Sequence, residues 1–262
     1  MMFVSWLAQS VAPPTIAVYL AAVRSLHIDA GLPDPTADAP RLRRVLRGIQ
    51  RTRSRARPSR RPITKSILDT IHTTLATASP AADAAMFWAA CCVAFFGFLR
   101  VSEFTAGLSI APARQLCLAD VEILAGSPPS AIRLRIKASK TDPLAVGCFV
   151  YIGRSSRTVC PVQAVLAYLT HRGSDPGPFF RWHDGSPLTP VQVNFYLRDI
   201  LTRAGYQGNY SSHSFRIGAA TAAAAAGLPE HLIQTLGRWS SSAYLRYICT
   251  SPETLAHVAS LL

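Results

Sequence analysis

Residues 84–99 read AAMFWAACCVAFFGFL, an unbroken apolar run closed by Asp83 on one side and Arg100 on the other. A helix that is apolar all round has no face to offer water, so any fold this chain adopts must surround that segment. The run is shorter than the roughly 20 residues a bilayer span requires. It predicts a buried helix from about Ala81 to Leu99, introduced by Pro80, inside a soluble globular protein with no membrane partner. The chain's 262 residues, 49% of them hydrophobic, supply core enough for one large domain or a small domain joined to a medium one. The amino terminus, MMFVSWLAQSVAPP, lacks the basic flank and cleavage pattern of a secretory signal, which predicts an intracellular protein. The six cysteines, among them adjacent Cys91 and Cys92, form neither a CxxC pair nor a zinc spacing, and read as buried reduced thiols. No metal and no cofactor is expected.

Charge points to a partner. The net charge is +13, and the basic side chains are 24 Arg against 3 Lys. Such a balance favours a polyanion and suits bidentate phosphate contacts, although a GC-rich genome would also enrich arginine. The distribution is more telling than the total. No acidic residue stands between Asp38 and Asp69, whereas ten arginines lie from Arg41 to Arg61, which makes a local cationic arm.

Periodicity divides the chain into two modules. Ile16, Tyr19, Leu20, Val23 and Leu26 form a helical stripe that ends at Gly31 and Pro33, and APRLRRVLRGIQR fits a second helix with Leu42, Val45, Leu46 and Ile49 on one side. Two helices are too few for a stable domain. Residues 1–50 therefore read as part of a helical module whose earlier helices are absent, and residues 51–62 as an extended arginine-rich linker. From residue 63 onward, Thr64 caps the helix KSILDTIHTTLA, AIRLRIKAS and GCFVYIG alternate as an antiparallel hairpin, and five further helices follow. The fold class is mainly α with one small antiparallel β-sheet, in the α+β sense.

Four places in residues 63–262 can carry chemistry. Arg100 follows the apolar run with Glu103 three residues on, where the carboxylate can position the guanidinium. Lys140 occupies the hairpin turn IKASKTDP. His213 and Arg216 share a face at the start of the helix SSHSFRIGAAT, beside unpaired N–H groups and the positive end of the helix dipole. Tyr244 and Tyr247 stand three apart in LGRWSSSAYLRYI, a short helix capped by Ser240 or Ser241. Singly, each has an ordinary structural explanation: an ion pair at a helix end, a solvated turn, a cap, a packed aromatic.

Together, in this order, they resemble the tyrosine recombinase, or phage integrase, family. FGFLRVSE is similar to its first arginine box at Gly97, Leu99, Arg100, Ser102 and Glu103; SHSFRIGAATAAAAAG to its second box, with His213 and Arg216 at the catalytic positions. In LGRWSSSAYLRYI the nucleophile of the family stands ten residues after the glycine, and counting from Gly237 gives Tyr247. The wording GRWSSSAYLRYI is closest to recombinases of Crypton- and DIRS-type eukaryotic mobile elements. The resemblance implies a catalytic domain over residues 63–262 and a partial core-binding (SAM-like) DNA-binding module over 1–50. One position departs from the family pattern. Histidine or tryptophan usually follows the glycine, whereas here Arg238 does, with Trp239 one residue on. Either Trp239 fills the role through a one-residue shift, the preferred reading, or Arg238 contacts phosphate itself.

The resemblance implies DNA strand cleavage and rejoining through a 3′-phosphotyrosyl intermediate, with double-stranded DNA as partner and a homo-oligomer, a tetramer, on it. Nuclear localisation follows if the source is eukaryotic. Arg100 and Arg216 would clamp the non-bridging oxygens, His213 and Trp239 complete the cage, Tyr247 attack and Lys140 protonate the leaving 5′ oxygen. Glu103, Arg238 and the arm arginines Arg51, Arg53, Arg55, Arg57, Arg60 and Arg61 are the expected substrate-binding residues. Two other readings share these residues: a catalytically silent DNA-binding protein derived from such a recombinase, and a type IB topoisomerase.

Overall fold

The computed structural model describes residues 2–53, 59–107, 115–139, 142 and 144–249. The apolar run forms α5 (Ala81–Phe96), in which every residue from Met86 to Phe95 is buried. Burial on all sides requires partners on all sides, and α5 packs against α4 (Lys65–Ala76), α7 (Pro161–Arg172) and α9 (His213–Ala225). Each large apolar side chain enclosed this way contributes about 1.5–3 kcal/mol. The helix stops three residues before the expected end. Phe98 adopts a left-handed backbone (φ 50°), and the Leu99 N–H reaches back to the Ala94 carbonyl. That hydrogen-bond pattern is a Schellman stop with phenylalanine where glycine is usual. Arg100 leaves the turn and opens the one-turn helix α6 (Val101–Phe104).

The hairpin forms as the alternation predicts: β2 (Ala131–Ile136) pairs antiparallel with β3 (Cys148–Gly153), setting Arg133 opposite Tyr151 and Arg135 opposite Phe149. Ile132, Leu134, Ile136, Val150 and Ile152 turn into the core. A third strand, β1 (Val121–Leu124), pairs antiparallel with β2 on its other edge, giving the order β1-β2-β3. Helices α8 (Pro190–Arg203) and α10 (Glu230–Gly237) complete the helical layer, followed by a 3-10 segment, Ser242–Tyr247. Thr64 caps α4 by accepting the Ile67 N–H, and Ser241 caps the final segment by accepting the Ala243 N–H. At α9 no serine side chain caps the helix; Asn194 of α8 instead accepts the Ser212 N–H at 2.7 Å.

The chain divides into two compact units, residues 1–58 and 59–262. The first holds α1 (Met2–Ser10), α2 (Pro13–Asp29) and α3 (Pro40–Arg53). Its small core is Val4, Leu7 and Ile16, with Leu20, Leu42, Val45, Leu46 and Ile49 packed against it. The α2 stripe is only half used: Ile16 is buried, but Tyr19 and Leu26 are exposed. Helix α3 runs three residues into the stretch expected to be an extended linker, because arginine is a good helix former and neither glycine nor proline stands between Gly48 and Pro58. Arg51 and Arg53 therefore stand on a helix. Among the described residues no helix is long and apolar enough to cross a membrane.

Candidate active site

Two chain reversals face each other. At the end of α10, Arg238 is left-handed (φ 55°, ψ 45°) and the Trp239 N–H bonds back to the Gln234 carbonyl, a second Schellman stop with a non-glycine residue in the left-handed place. The preceding glycine is required by packing: a Cβ on Gly237 would lie 1.7 Å from the Trp239 ring. The two turns point the Phe98 and Gly237 carbonyls at one guanidinium, that of Arg216, which donates to both.

Arg216 is fully buried. Its guanidinium lies 4.3 Å from the centre of the Trp239 ring and 5.7 Å from that of Tyr247. Burial, with Arg100 and Arg238 nearby, pushes its pKa down to about 10, so it remains charged at neutral pH. Buried Glu103 supplies the counter-charge. One of its carboxylate oxygens accepts from Arg100 Nη1 at 2.9 Å, and the other accepts the Arg100 backbone N–H at 2.9 Å and Arg238 Nη2 at 2.6 Å. Arg100 is thereby held at the N-terminus of α6 by its own helix.

His213 opens α9, and its imidazole centroid is 5.0 Å from that of Tyr247. Burial, then the charges of Arg60, Arg216 and Arg100, pull its pKa down to about 4. It is a neutral imidazole at physiological pH, able to accept a proton. Arg60 reaches this neighbourhood because the chain beginning the second unit lies along α9. The Arg61 N–H bonds the Asn209 carbonyl, the Ile63 N–H bonds the Ser214 carbonyl, and a Cβ on Gly218 would sit 1.9 Å from the Ile63 carbonyl oxygen.

The two tyrosines part company here. Tyr244 is buried and donates to Glu230 at 2.5 Å, and that hydrogen bond raises its pKa. Tyr247 is half-buried, with its ring 5.0 Å from those of both His213 and Trp239. Its backbone is clamped by Thr221 of α9, whose hydroxyl donates to the Tyr247 carbonyl at 3.1 Å and accepts the Cys249 N–H at 3.0 Å. Among the described residues, three buried N–H groups on these side chains have no partner: Arg216 Nε, Arg238 Nε and Trp239 Nε1. Buried polar hydrogens are normally satisfied, which leaves the Trp239 indole N–H available to an added acceptor.

Of the residues expected from sequence, Arg100, Glu103, His213, Arg216, Arg238, Trp239 and Tyr247 come together here. Lys140 lies outside the described residues, as do Arg55 and Arg57. At the base of the same hairpin, Lys137 is bound to Asp120 at 2.7 Å. Arg51 and Arg53 belong to the first unit. Sequence reasoning missed Thr221, although a single hydroxyl in the alanine run GAATAAAAAG was the available signal. The attachment of Arg238 to Glu103 was missed as well; nothing in the local spacing pairs residues so far apart. Among the described residues no group of three or more His, Cys, Asp or Glu side chains is placed to hold a metal ion.

No protein-family model matches the chain, and no curated protein matches it. Solved structures do. XerA recombinase is 17% identical over 99% of this chain and 80% of its own, with a TM-score of 0.57. The Tn1549 transposon integrase in complex with transposon right end DNA is 13% identical over 99% of this chain and 83% of its own, at 0.61. XerH site-specific recombinase, in a post-cleavage complex with its difH substrate, is 17% identical over 79% of this chain at 0.58. The chain spans only 54% of the XerH recombinase. At these identities the likeness is one of fold, and the fold of the helical layer with its three-stranded sheet is that of the tyrosine recombinase catalytic domain.

Proposed function

We propose that this protein cleaves and rejoins duplex DNA with Tyr247 as nucleophile, as a site-specific recombinase or integrase. The observation that carries the reading is the placement of Tyr247 over a buried guanidinium and against a neutral imidazole. Phosphodiester transfer gathers negative charge on the non-bridging oxygens, so fixed cations and pre-aimed N–H donors lower its barrier. Arg100 and Arg216 supply the cations, and the indole N–H of Trp239 a further donor. In the forward step the Tyr247 oxygen bonds to phosphorus and its proton passes to His213. The bond from phosphorus to the 5′ oxygen breaks, leaving a 3′-phosphotyrosyl link and a 5′ hydroxyl. Lys140 is assigned the proton to that oxygen on the family resemblance. Attack by a 5′ hydroxyl reverses the step, so bond energy is conserved and no nucleotide is consumed. The wording GRWSSSAYLRYI supports a mobile-element origin of the Crypton or DIRS kind.

The test is a panel of nicked duplexes whose cleavage releases a short strand and so traps the covalent state. Denaturant-resistant protein–DNA adduct is expected with the wild type and none with Tyr247→Phe or Arg216→Ala. Equal adduct from Tyr247→Phe would refute the assignment.

A further inference from the structure

Arg238 stands where a helix stop ordinarily takes glycine, and left-handed backbone disfavours a side chain. Both terminal nitrogens of its guanidinium are engaged on the protein, while Nε has no partner among the described residues. Nη1 donates to the Gly97 carbonyl at 3.2 Å, and Nη2 donates to Glu103 at 2.6 Å, with the Phe98 carbonyl at 3.4 Å. Each acceptor also serves another functional arginine or adjoins one that does. Glu103 holds Arg100, and the Phe98 carbonyl takes Nη1 of Arg216. Arg238 thus ties the α10 turn, which bears Trp239, to the α5–α6 turn, which bears Arg100.

We infer that Arg238 is a positioning residue, a clasp acting through Glu103 and the Phe98 carbonyl to fix the two phosphate-facing arginines, and not itself a phosphate ligand. This rests on the proposed strand-transfer reading and explains how the chain manages without histidine or tryptophan directly after Gly237. The left-handed backbone is the means: it swings the arginine back across the turn toward α5, leaving Trp239 over Arg216.

Arg238→Gly provides the decisive variant, because it keeps the backbone turn at no steric cost while deleting the guanidinium. Combined with Glu103→Gln it closes a double-mutant cycle. Three quantities are measured: the single-turnover rate of adduct formation on a nicked duplex, the affinity for the same DNA across salt concentrations, and the thermal midpoint. The proposal expects Arg238→Gly to slow adduct formation about tenfold or more, with affinity and salt slope unchanged. It also expects the slowing to shrink to under about threefold on the Glu103→Gln background, and Arg238→Lys to recover part of the rate. A salt slope lower by about one, with additive effects, would make Arg238 a phosphate ligand and overturn the proposal. So would an unchanged rate, which would leave it a simple helix stop. If the wild type yields no adduct, the strand-transfer reading fails separately. The clasp is then judged on thermal midpoints, where a non-additive cycle supports it and an additive one overturns it.

Discussion

Tyr244 and Tyr247 are three residues apart, yet their rings have different neighbours. A carboxylate beside a phenol makes its deprotonation harder, and Glu230 does this to Tyr244. Tyr247 has a guanidinium and a neutral imidazole beside its ring. Tyr244→Phe is therefore expected to lower the thermal midpoint while leaving adduct yield near wild type, measured by calorimetry and adduct trapping on one preparation. His213 gives a prediction in pH. Its folded-state pKa of about 4 lies below the ordinary 6.5, so the unfolded chain takes up its proton first as the solution is acidified. The stability this group contributes is complete above about pH 6.5 and is lost progressively toward pH 4. The drop in thermal midpoint between pH 7 and pH 4.5 should be smaller in His213→Gln than in wild type. A bound phosphate reverses the local sign by offering the imidazolium a counter-charge, so DNA binding near pH 5 should take up a proton that His213→Gln does not.

The two facing turns, at Phe98 and Arg238, set where the functional side chains stand. Gly237→Ala drives a methyl into the Trp239 ring, and Gly218→Ala drives one into the Ile63 carbonyl. Each should cost about 1–3 kcal/mol by denaturant titration. Gly237→Ala should also slow adduct formation, since it displaces the ring over Arg216. Most elements were legible because their signals are local. The run 84–99 had to be buried, the alternation in AIRLRI had to be a strand, and proline opened three of the later helices. β1 was not legible, since VEIL is four residues long and acquires its meaning from pairing with β2. The first helix was missed because two apolar anchors, Val4 and Leu7, are too few to declare a period. The left-handed turns at Phe98 and Arg238 were hidden for a different reason. Sequence reading expects glycine there, and tertiary contacts stabilise what local propensity disfavours. Seven residues named through the family resemblance, Arg100, Glu103, His213, Arg216, Arg238, Trp239 and Tyr247, gather in one place, but their wiring was not legible. Which guanidinium Glu103 holds depends on partners 135 residues apart.

For the whole molecule, charge and covalent chemistry make separate statements. In sequence the arginines from Arg41 to Arg61 fall on both sides of the boundary at residue 58, and the charge of Arg60 acts on His213. If this band follows a phosphate backbone, Arg51→Ala should reduce the slope of log affinity against log salt by about 0.9, with adduct chemistry preserved at saturating DNA. Strand transfer demands more than binding: one phenol oxygen, that of Tyr247, takes the scissile phosphate. Its most direct test is to isolate the trapped adduct, digest the protein, and identify by mass spectrometry both the modified residue and the DNA end it carries. The 3′ phosphate is expected on the oxygen of Tyr247, with the released strand bearing a free 5′ hydroxyl that accepts a label without prior phosphatase treatment. A phosphate found on Tyr244, or a linkage through the 5′ end, would contradict it.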